Sequence, residues 1–524
     1  MRPSARRNRH PASQGDLVVV KRRLHVVFLA LFSMQVFLVF NIINKAISYA
    51  QEPKAQIKNY LAKEVRRGSI YDTNGTLLAT SLKVNSLYAD PKMMLDINDA
   101  AVKINKVFPD LKVIDIRKKL SNRHRRFVWL KRNLSPRQAY TINSYGIPGL
   151  AFKQEFFRTY PNGNLAAHVL GSVNRNNVGV SGVEKKFNQE LNRGENIHLT
   201  INSELQSSLR ESLASQMAES NGESAWAIAI RPTDGSVLAS VSLPDYDANF
   251  YNRAAPSQWK DRTISDVFEM GSINKVYTYA IGFADKIIDL NSILDATKPI
   301  RIGRYRIRDA YPKNKWLSVT DAFKYSSNIA ASRVADEFTT TRQKEFYDQL
   351  HLLDPLEYDL GTTTAPIVPT DRSWKRLKKM TLSYGYGLAM TPLHSVASLS
   401  AIGNDGFYVK PKFVKQTPTD KQQIVSIETA EKMKRLFAAT AEEGTARRAR
   451  VDGYLIGGKT GTAEVLDKSG SYNKKQNLAT FIGFAPLNDP EFIVLVGVNG
   501  LEGKRSGGGS VAAPVFREFA KKAF

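Results

Sequence analysis

The segment LHVVFLALFSMQVFLVFNII, residues 24–43, constrains this chain more than any other feature. It runs for twenty residues with no acidic or basic side chain except His25. As a helix rising about 1.5 Å per residue it matches the roughly 30 Å hydrocarbon layer of a bilayer. Ahead of it stand Arg2, Arg6, Arg7, Arg9, Lys21, Arg22 and Arg23 against Asp16, whereas beyond it, as far as residue 55, only Lys45 and Lys54 are basic. That bias sets the N-terminus in the cytoplasm and everything after residue 43 outside. A cleaved signal peptide, with Ser48 and Ala50 as a weak cleavage site, and a buried core helix are the other readings. The stretch is longer than the apolar core of about 7–15 residues found in signal peptides, so an uncleaved, single-pass anchor is expected. An exported location argues against ATP-driven chemistry.

At 524 residues the chain exceeds what one core accommodates, and two or three domains are expected. It has no cysteine, which excludes disulfides, thiol chemistry and thiolate metal sites. The formal charge is +26, densest in RKKLSNRHRRFVWLKR at 117–132. No helix-turn-helix, aromatic RNA-binding motif or finger spacing accompanies it, so nucleic acid is not the expected partner. The run is either a solvated face or one steered toward an anionic polymer or membrane headgroups.

Residues 1–23 form a basic tail. From 56 to about 220 the texture is mixed. RRGSIYDTNGTLLATSLKVNSLYAD predicts short strands around an Asn74-Gly75 turn, 94–145 short helices between basic loops, and 196–218 a strand followed by a helix opened by Asn202 or Ser203. From 221 a larger body begins. AWAIAIRPTDGSVLASV (225–241) predicts a hairpin over Thr233-Asp234-Gly235, 268–350 is expected to be mostly helical, and 450–524 turns strand-rich before a last helix from about Ala512. A hairpin first, helices between and strands last predict an α+β body, one sheet built from both chain ends with helices packed on it.

Three polar patterns lie in this second body. Ser272-Ile273-Asn274-Lys275 opens the apolar run VFEMGSINKVYTYAIGF, which predicts a buried helix. Residues three apart share a helix face, so the Lys275 amine can reach the Ser272 oxygen, and an apolar setting favours the neutral amine that activating a serine requires. Tyr325-Ser326-Ser327-Asn328 offers two hydroxyls and an amide for proton transfer and substrate holding. Gly458-Lys459-Thr460-Gly461-Thr462 lies on a strand-like run that could pair with a peptide while its hydroxyls and ammonium hold a carboxylate. Singly, each pattern is weak. Their order, at spacings of 54 and 133 residues in an exported chain, is not.

SxxK, SxN and KTG in this order are the signature of penicillin-binding proteins and serine β-lactamases. The chain resembles the class B penicillin-binding proteins, the peptidoglycan DD-transpeptidases. RRGSIYDTNG (66–75), RTYPNGNLAAHVLG (158–171) and VSGVEKKFNQELNRG (180–194) are similar to their non-catalytic pedestal. PTDGSVLASVSLPDYDAN and SYGYGLAMTPLHSVASLSAI (383–402) are similar to segments of their catalytic domain. The short pedestal and single anchor look most like the septal, division-specific member. The resemblance implies a pedestal at 56–220, taking part in dimerisation-like partner contacts. It also implies a transpeptidase domain of the serine β-lactamase kind at 221–524, an antiparallel sheet with flanking helices. Ser272 would be the acylated nucleophile and Lys275 its base. Ser326 would relay a proton, Asn328 orient substrate and Lys459 support Ser326. Thr460, Gly461 and Thr462 would form the substrate strand, with the Ser272 and Thr462 amides as oxyanion hole. No cofactor or metal is implied. The partners would be stem peptides, lipid-linked glycan strands, β-lactams, a membrane-embedded glycan polymerase and division proteins, at the inner membrane. A β-lactamase or carboxypeptidase, and a non-catalytic scaffold or β-lactam sensor, share the motifs. Ile273-Asn274 between the catalytic pair, Ser327 in place of the aspartate frequent in lactamases, and GTTTAPIVPTDRSW at 361–374 depart from the family pattern.

Overall fold

A computed structural model describes residues 28, 29, 31–42, 44, 66–466, 472–503 and 506–524. Contacts divide the chain into two units, 1–65 and 66–524. In the first, the described part of the expected span is helical with exposed apolar side chains, among them Phe28, Leu31 and Phe37. The rest of the 24–43 segment, and the tail at 1–23, lie outside the described residues. Among the described residues no helix is long and apolar enough to cross a membrane.

The second unit begins with β1 (Ile70–Tyr71) and β2 (Leu77–Ala89). The turn between them is fixed by Asp72, whose Oδ1 accepts from the Asn74 and Thr76 amides at 2.8 and 2.7 Å. Strand β2 is one 13-residue strand rather than several short ones. The helices α1 (Ile97–Val107) and α2 (Val113–Leu120), strand β3 (Val128–Leu134), helix α3 (Pro136–Ser144) and strand β4 (Leu150–Thr159) follow. β2 pairs antiparallel with β1, β3 and β4, and Leu87, Ile104, Ile116, Leu130 and Ile142 make a core under the helices. Glu184, fully buried, accepts from the guanidinium groups of Arg67 and Arg158 at 2.8 and 2.6 Å. This ties together three segments, those around residues 67, 158 and 184.

β5 (Ile197–His198) returns parallel to β1 and leads into α4 (Ser203–Glu219), capped by Asn202. Next come β6 (Ser224–Ile230) and β7 (Val237–Leu243), the expected hairpin. The chain then runs through α5 (Lys275–Ala284), α6 (Val319–Lys324), α7 (Asn328–Glu337), α8 (Pro392–Gly403) and α9 (Ile427–Glu442). It ends with β8 (Gly457–Leu466), β9 (Tyr472–Ala485), β10 (Phe492–Leu501) and α10 (Ala512–Ala523). The five strands form one antiparallel sheet in the order β8-β9-β10-β6-β7, so both ends of this part of the chain build it.

The wholly buried strand β6 shows why helices cover both faces. Trp226, Ile228 and Ile230 enter the core shared with α5 and α8, while Ala225, Ala227 and Ala229 enter the one shared with α10. Leu209 and Leu213 of α4 belong to this second core. That helix therefore serves the sheet, although a boundary at 220 assigns it to the first part. Residues 268–350 are less helical than expected. Ile293–Asp295 pairs with Trp316–Ser318, and Ile300–Ile302 with Tyr305–Ile307. The sequence IRIGRYRI has a period of two around Gly303, a strand pattern rather than a helical one.

Candidate active site

The run VFEMGSINK does not enter its helix directly. Gly271–Asn274 form a 3-10 turn, and α5 starts at Lys275. Two close backbone approaches fix this turn. A Cβ on Gly385 would lie 1.8 Å from the Gly271 carbonyl oxygen, and one on Gly461 would lie 2.3 Å from that of Met270. Only glycine lets the 383–391 loop and β8 close on the turn from their two sides. Thr480 Oγ1 also donates to the Met270 carbonyl at 3.2 Å.

Lys275 is wholly buried, and its Nζ lies 2.7 Å from Ser272 Oγ. The same nitrogen lies 2.9 Å from the Ser326 carbonyl oxygen, 3.0 Å from Ser326 Oγ and 2.7 Å from Asn328 Oδ1. Lys459, also wholly buried, donates to Ser326 Oγ at 3.0 Å and to the Thr460 carbonyl at 3.1 Å. Residues from all three sequence patterns thus meet around two hydroxyls. Burial and the neighbouring charge of Lys459 hold the Lys275 amine well below the usual lysine range. Burial alone brings Lys459 down to about 7.

The second pattern sits between α6 and α7, and Ser326 takes a left-handed backbone with φ of 60°. A serine in that region is strained, and here the strain turns both its carbonyl and its hydroxyl toward Lys275. Ser327 caps α7, accepting from the Ala330 amide at 3.0 Å and donating to Asp309 Oδ2 at 2.8 Å. The other Asp309 oxygen accepts from the Ile329 amide. Both ends of the Asn328 amide are engaged, Oδ1 by Lys275 and Nδ2 by the Arg308 carbonyl at 2.9 Å.

On β8 the residues separate by face. Lys459 turns inward to Ser326 and not to an open carboxylate site. Thr460 is buried, its hydroxyl 2.7 Å from that of Thr445, whereas Thr462 is exposed and accepts from the Gly508 amide at 3.3 Å. Gly461 serves the close approach described above.

The sequence reading missed Asp309 and Glu269. Glu269, three residues before Ser272, is buried and accepts from the Gly387 amide at 2.6 Å and from the Tyr472 hydroxyl at 3.0 Å. Burial pushes its carboxyl above the usual range. Tyr386 packs between Tyr384 and Tyr472, with ring centroids 5.9 and 5.7 Å away. An acid inside the apolar run VFEMGS was the available signal. Asn274 is wholly buried, and among the described residues neither atom of its amide has a hydrogen-bond partner.

Residues 225–521 match the model of the penicillin-binding protein transpeptidase domain, and 62–216 that of the penicillin-binding protein dimerisation domain. The chain belongs to the penicillin-binding protein transpeptidase family. Among curated relatives it is 29% identical over 486 residues to the probable peptidoglycan D,D-transpeptidase PenA of Neisseria meningitidis, covering 86% of this chain and 83% of that protein. It is 28% identical to the peptidoglycan D,D-transpeptidase FtsI of Escherichia coli, covering 86% of this chain and 82% of that one. A peptidoglycan synthetase from Bifidobacterium adolescentis shares the fold, with a TM-score of 0.69 and 20% identity over 87% of this chain and 94% of that structure.

Proposed function

We propose that Ser272 is the acylated nucleophile of this peptidoglycan D,D-transpeptidase and that Lys275 is its general base. The observation carrying this reading is the buried Lys275 nitrogen, within 3.0 Å of four oxygens on Ser272, Ser326 and Asn328. A neutral amine has two N–H donors and one lone pair. The Ser326 carbonyl and Asn328 Oδ1 can only accept, so they take the two N–H groups, and the lone pair is left to accept from a hydroxyl, Ser272 at 2.7 Å being nearer than Ser326 at 3.0 Å. In this protonation state the lysine is poised to take that proton.

Attack of Ser272 Oγ on the carbonyl carbon between the last two D-alanines of a donor stem then passes the hydroxyl proton to Lys275. The amides of Ser272 and Thr462 receive the oxyanion. Collapse breaks the peptide bond, and Ser326, held by Lys459, relays a proton to the departing D-alanine amine. An acceptor amine next attacks the ester carbonyl, loses its proton back through the same lysine and frees Ser272. Thr462, with Thr460, would hold the stem carboxylate, and the free N–H of Asn328 the stem backbone. The two acids that flank the motifs, Glu269 and Asp309, are engaged by backbone and hydroxyl partners. That supports an ester that waits for an amine over one that is rapidly hydrolysed.

The catalytic domain acts outside the cytoplasm. We further propose that residues 24–43 anchor the chain in the inner membrane, that 56–220 are a pedestal contacting a glycan polymerase and division proteins, and that the enzyme works at the septum. A D-Ala-D-Ala donor peptide given with and without a D-amino acid acceptor tests the reaction. The expected outcome is acceptor-dependent exchange faster than hydrolysis. Rapid turnover of penicillin to its hydrolysed product would instead make the chain a β-lactamase.

A further inference from the structure

The basic run at 117–132 is not used by the catalytic site. It carries eight lysines and arginines and no acid. Val128 and Leu130 of β3 are buried toward the helices, while Trp129 and Arg132 come together away from them, the Arg132 guanidinium 4.4 Å above the Trp129 ring. Phe127 stacks on Tyr88 of β2 at 4.5 Å, and Trp129 stands edge-on to both at 4.9 and 6.4 Å. Lys119, in the last turn of α2, donates to the Trp129 carbonyl at 3.2 Å, which brings the helix's basic end to this aromatic cluster.

Three of the eight cations have acidic partners: Arg126 with Asp90, Lys131 with Asp110 and Arg132 with Glu155. Among the described residues Arg117, Lys118, Lys119, Arg123 and Arg125 have none. Exposed uncompensated cations on one loop and helix end attract a polyanion. The rings decide which kind. They lie on one another, Tyr88 and Trp129 are half-buried, and even Phe127 is only 44% exposed. Apart from Ile114 on α2, 72% exposed, the apolar groups here are rings packed on one another rather than side chains free to insert among lipid chains, and a ring face suits the C–H face of a sugar.

We infer that this face binds a carboxylate-bearing glycan strand, with Phe127 and Trp129 under the sugar rings and Arg123 and Arg125 on the carboxylates. The assignment of the strand to peptidoglycan rests on the transpeptidase reading above.

The test uses the full chain in neutral-lipid nanodiscs, with Ser272 first blocked by penicillin so that the groove cannot contribute. Binding is measured by co-sedimentation with purified peptidoglycan sacculi and, separately, with phosphatidylglycerol vesicles. Arg123→Glu/Arg125→Glu, on the exposed loop, should weaken sacculus binding at least about tenfold. Phe127→Ala should weaken it several-fold, and raised salt should weaken the wild type. Penicillin labelling of each variant should stay within about twofold, which reports an intact fold and tests the site independently. Sacculus binding unchanged in the charge-reversed variant would overturn the inference. So would lost vesicle binding with sacculus binding intact, which assigns the face to lipid.

Discussion

Replacing Lys459 by methionine should move the pH dependence of acylation toward alkaline pH. Lys275 and Lys459 each have their nitrogen 3.0 Å from Ser326 Oγ, so the two are at most about 6 Å apart. At an effective dielectric of about 20, two charges at that distance repel by roughly 3 kcal/mol, or about two pK units. Lys459 titrates at about 7, so the repulsion acts fully only below neutrality, and the acid limb for Lys459→Met should shift up by about one to two units. The assay is the second-order rate of labelling by a fluorescent penicillin between pH 5 and 10. The plateau should also fall, by roughly ten- to a hundredfold, because Ser326 loses its donor.

Stability should change the other way. Lys459 is depressed from 10.5 to about 7, so the folded chain binds fewer protons than the unfolded one between those values. The cost of burying it is full below about 7, shrinks as pH rises and is gone above 10.5. At pH 7 it is on the order of 4 kcal/mol, so Lys459→Met should melt higher there while acylating more slowly. An acid limb that stays in place, or moves to lower pH, refutes the electrostatic coupling of the two lysines.

Glu269→Ala frees both the Gly387 amide and the Tyr472 hydroxyl and should slow penicillin acylation roughly ten- to a hundredfold. Glu269→Gln, which can still accept both bonds, should stay within about threefold by the same measurement. Asn274→Leu should raise the unfolding free energy in urea by roughly 1–3 kcal/mol, since it replaces a buried amide without partners. A lowered midpoint would mean that the amide is bonded after all. Glu184→Ala leaves two buried guanidinium groups without their shared carboxylate and should cost roughly 3–5 kcal/mol on the same denaturation curve. A loss below about 1 kcal/mol would contradict that view of the cluster.

Much of this was legible in the sequence because the signals are local. The Ser272–Lys275 spacing, the alternation in AWAIAI and the turn at Asp234-Gly235 each act over a few residues, and the structure keeps them. The arrangement of strands from both ends in one sheet followed from the order of elements. What was not legible depends on distant partners. Read from its strand pattern alone Lys459 is a carboxylate holder; its support of Ser326 came only from the family resemblance, and it is the inward face of β8 that turns it there. Asp309 and Glu269 carried no motif, because their partners, Ser327 with Ile329 and Gly387 with Tyr472, come from other segments. The short strands between 293 and 318 hid inside a region judged by its helices, although IRIGRYRI alternates. Asn274 remains a buried amide that nothing in the structure explains.

The most direct measurement is the site of the covalent penicillin adduct. The full chain is labelled, digested and mapped by mass spectrometry, alongside Ser272→Ala. The expected result is one stoichiometric adduct on the peptide containing Ser272, absent from the alanine variant. No adduct, or one elsewhere that survives the substitution, contradicts Ser272 as the nucleophile.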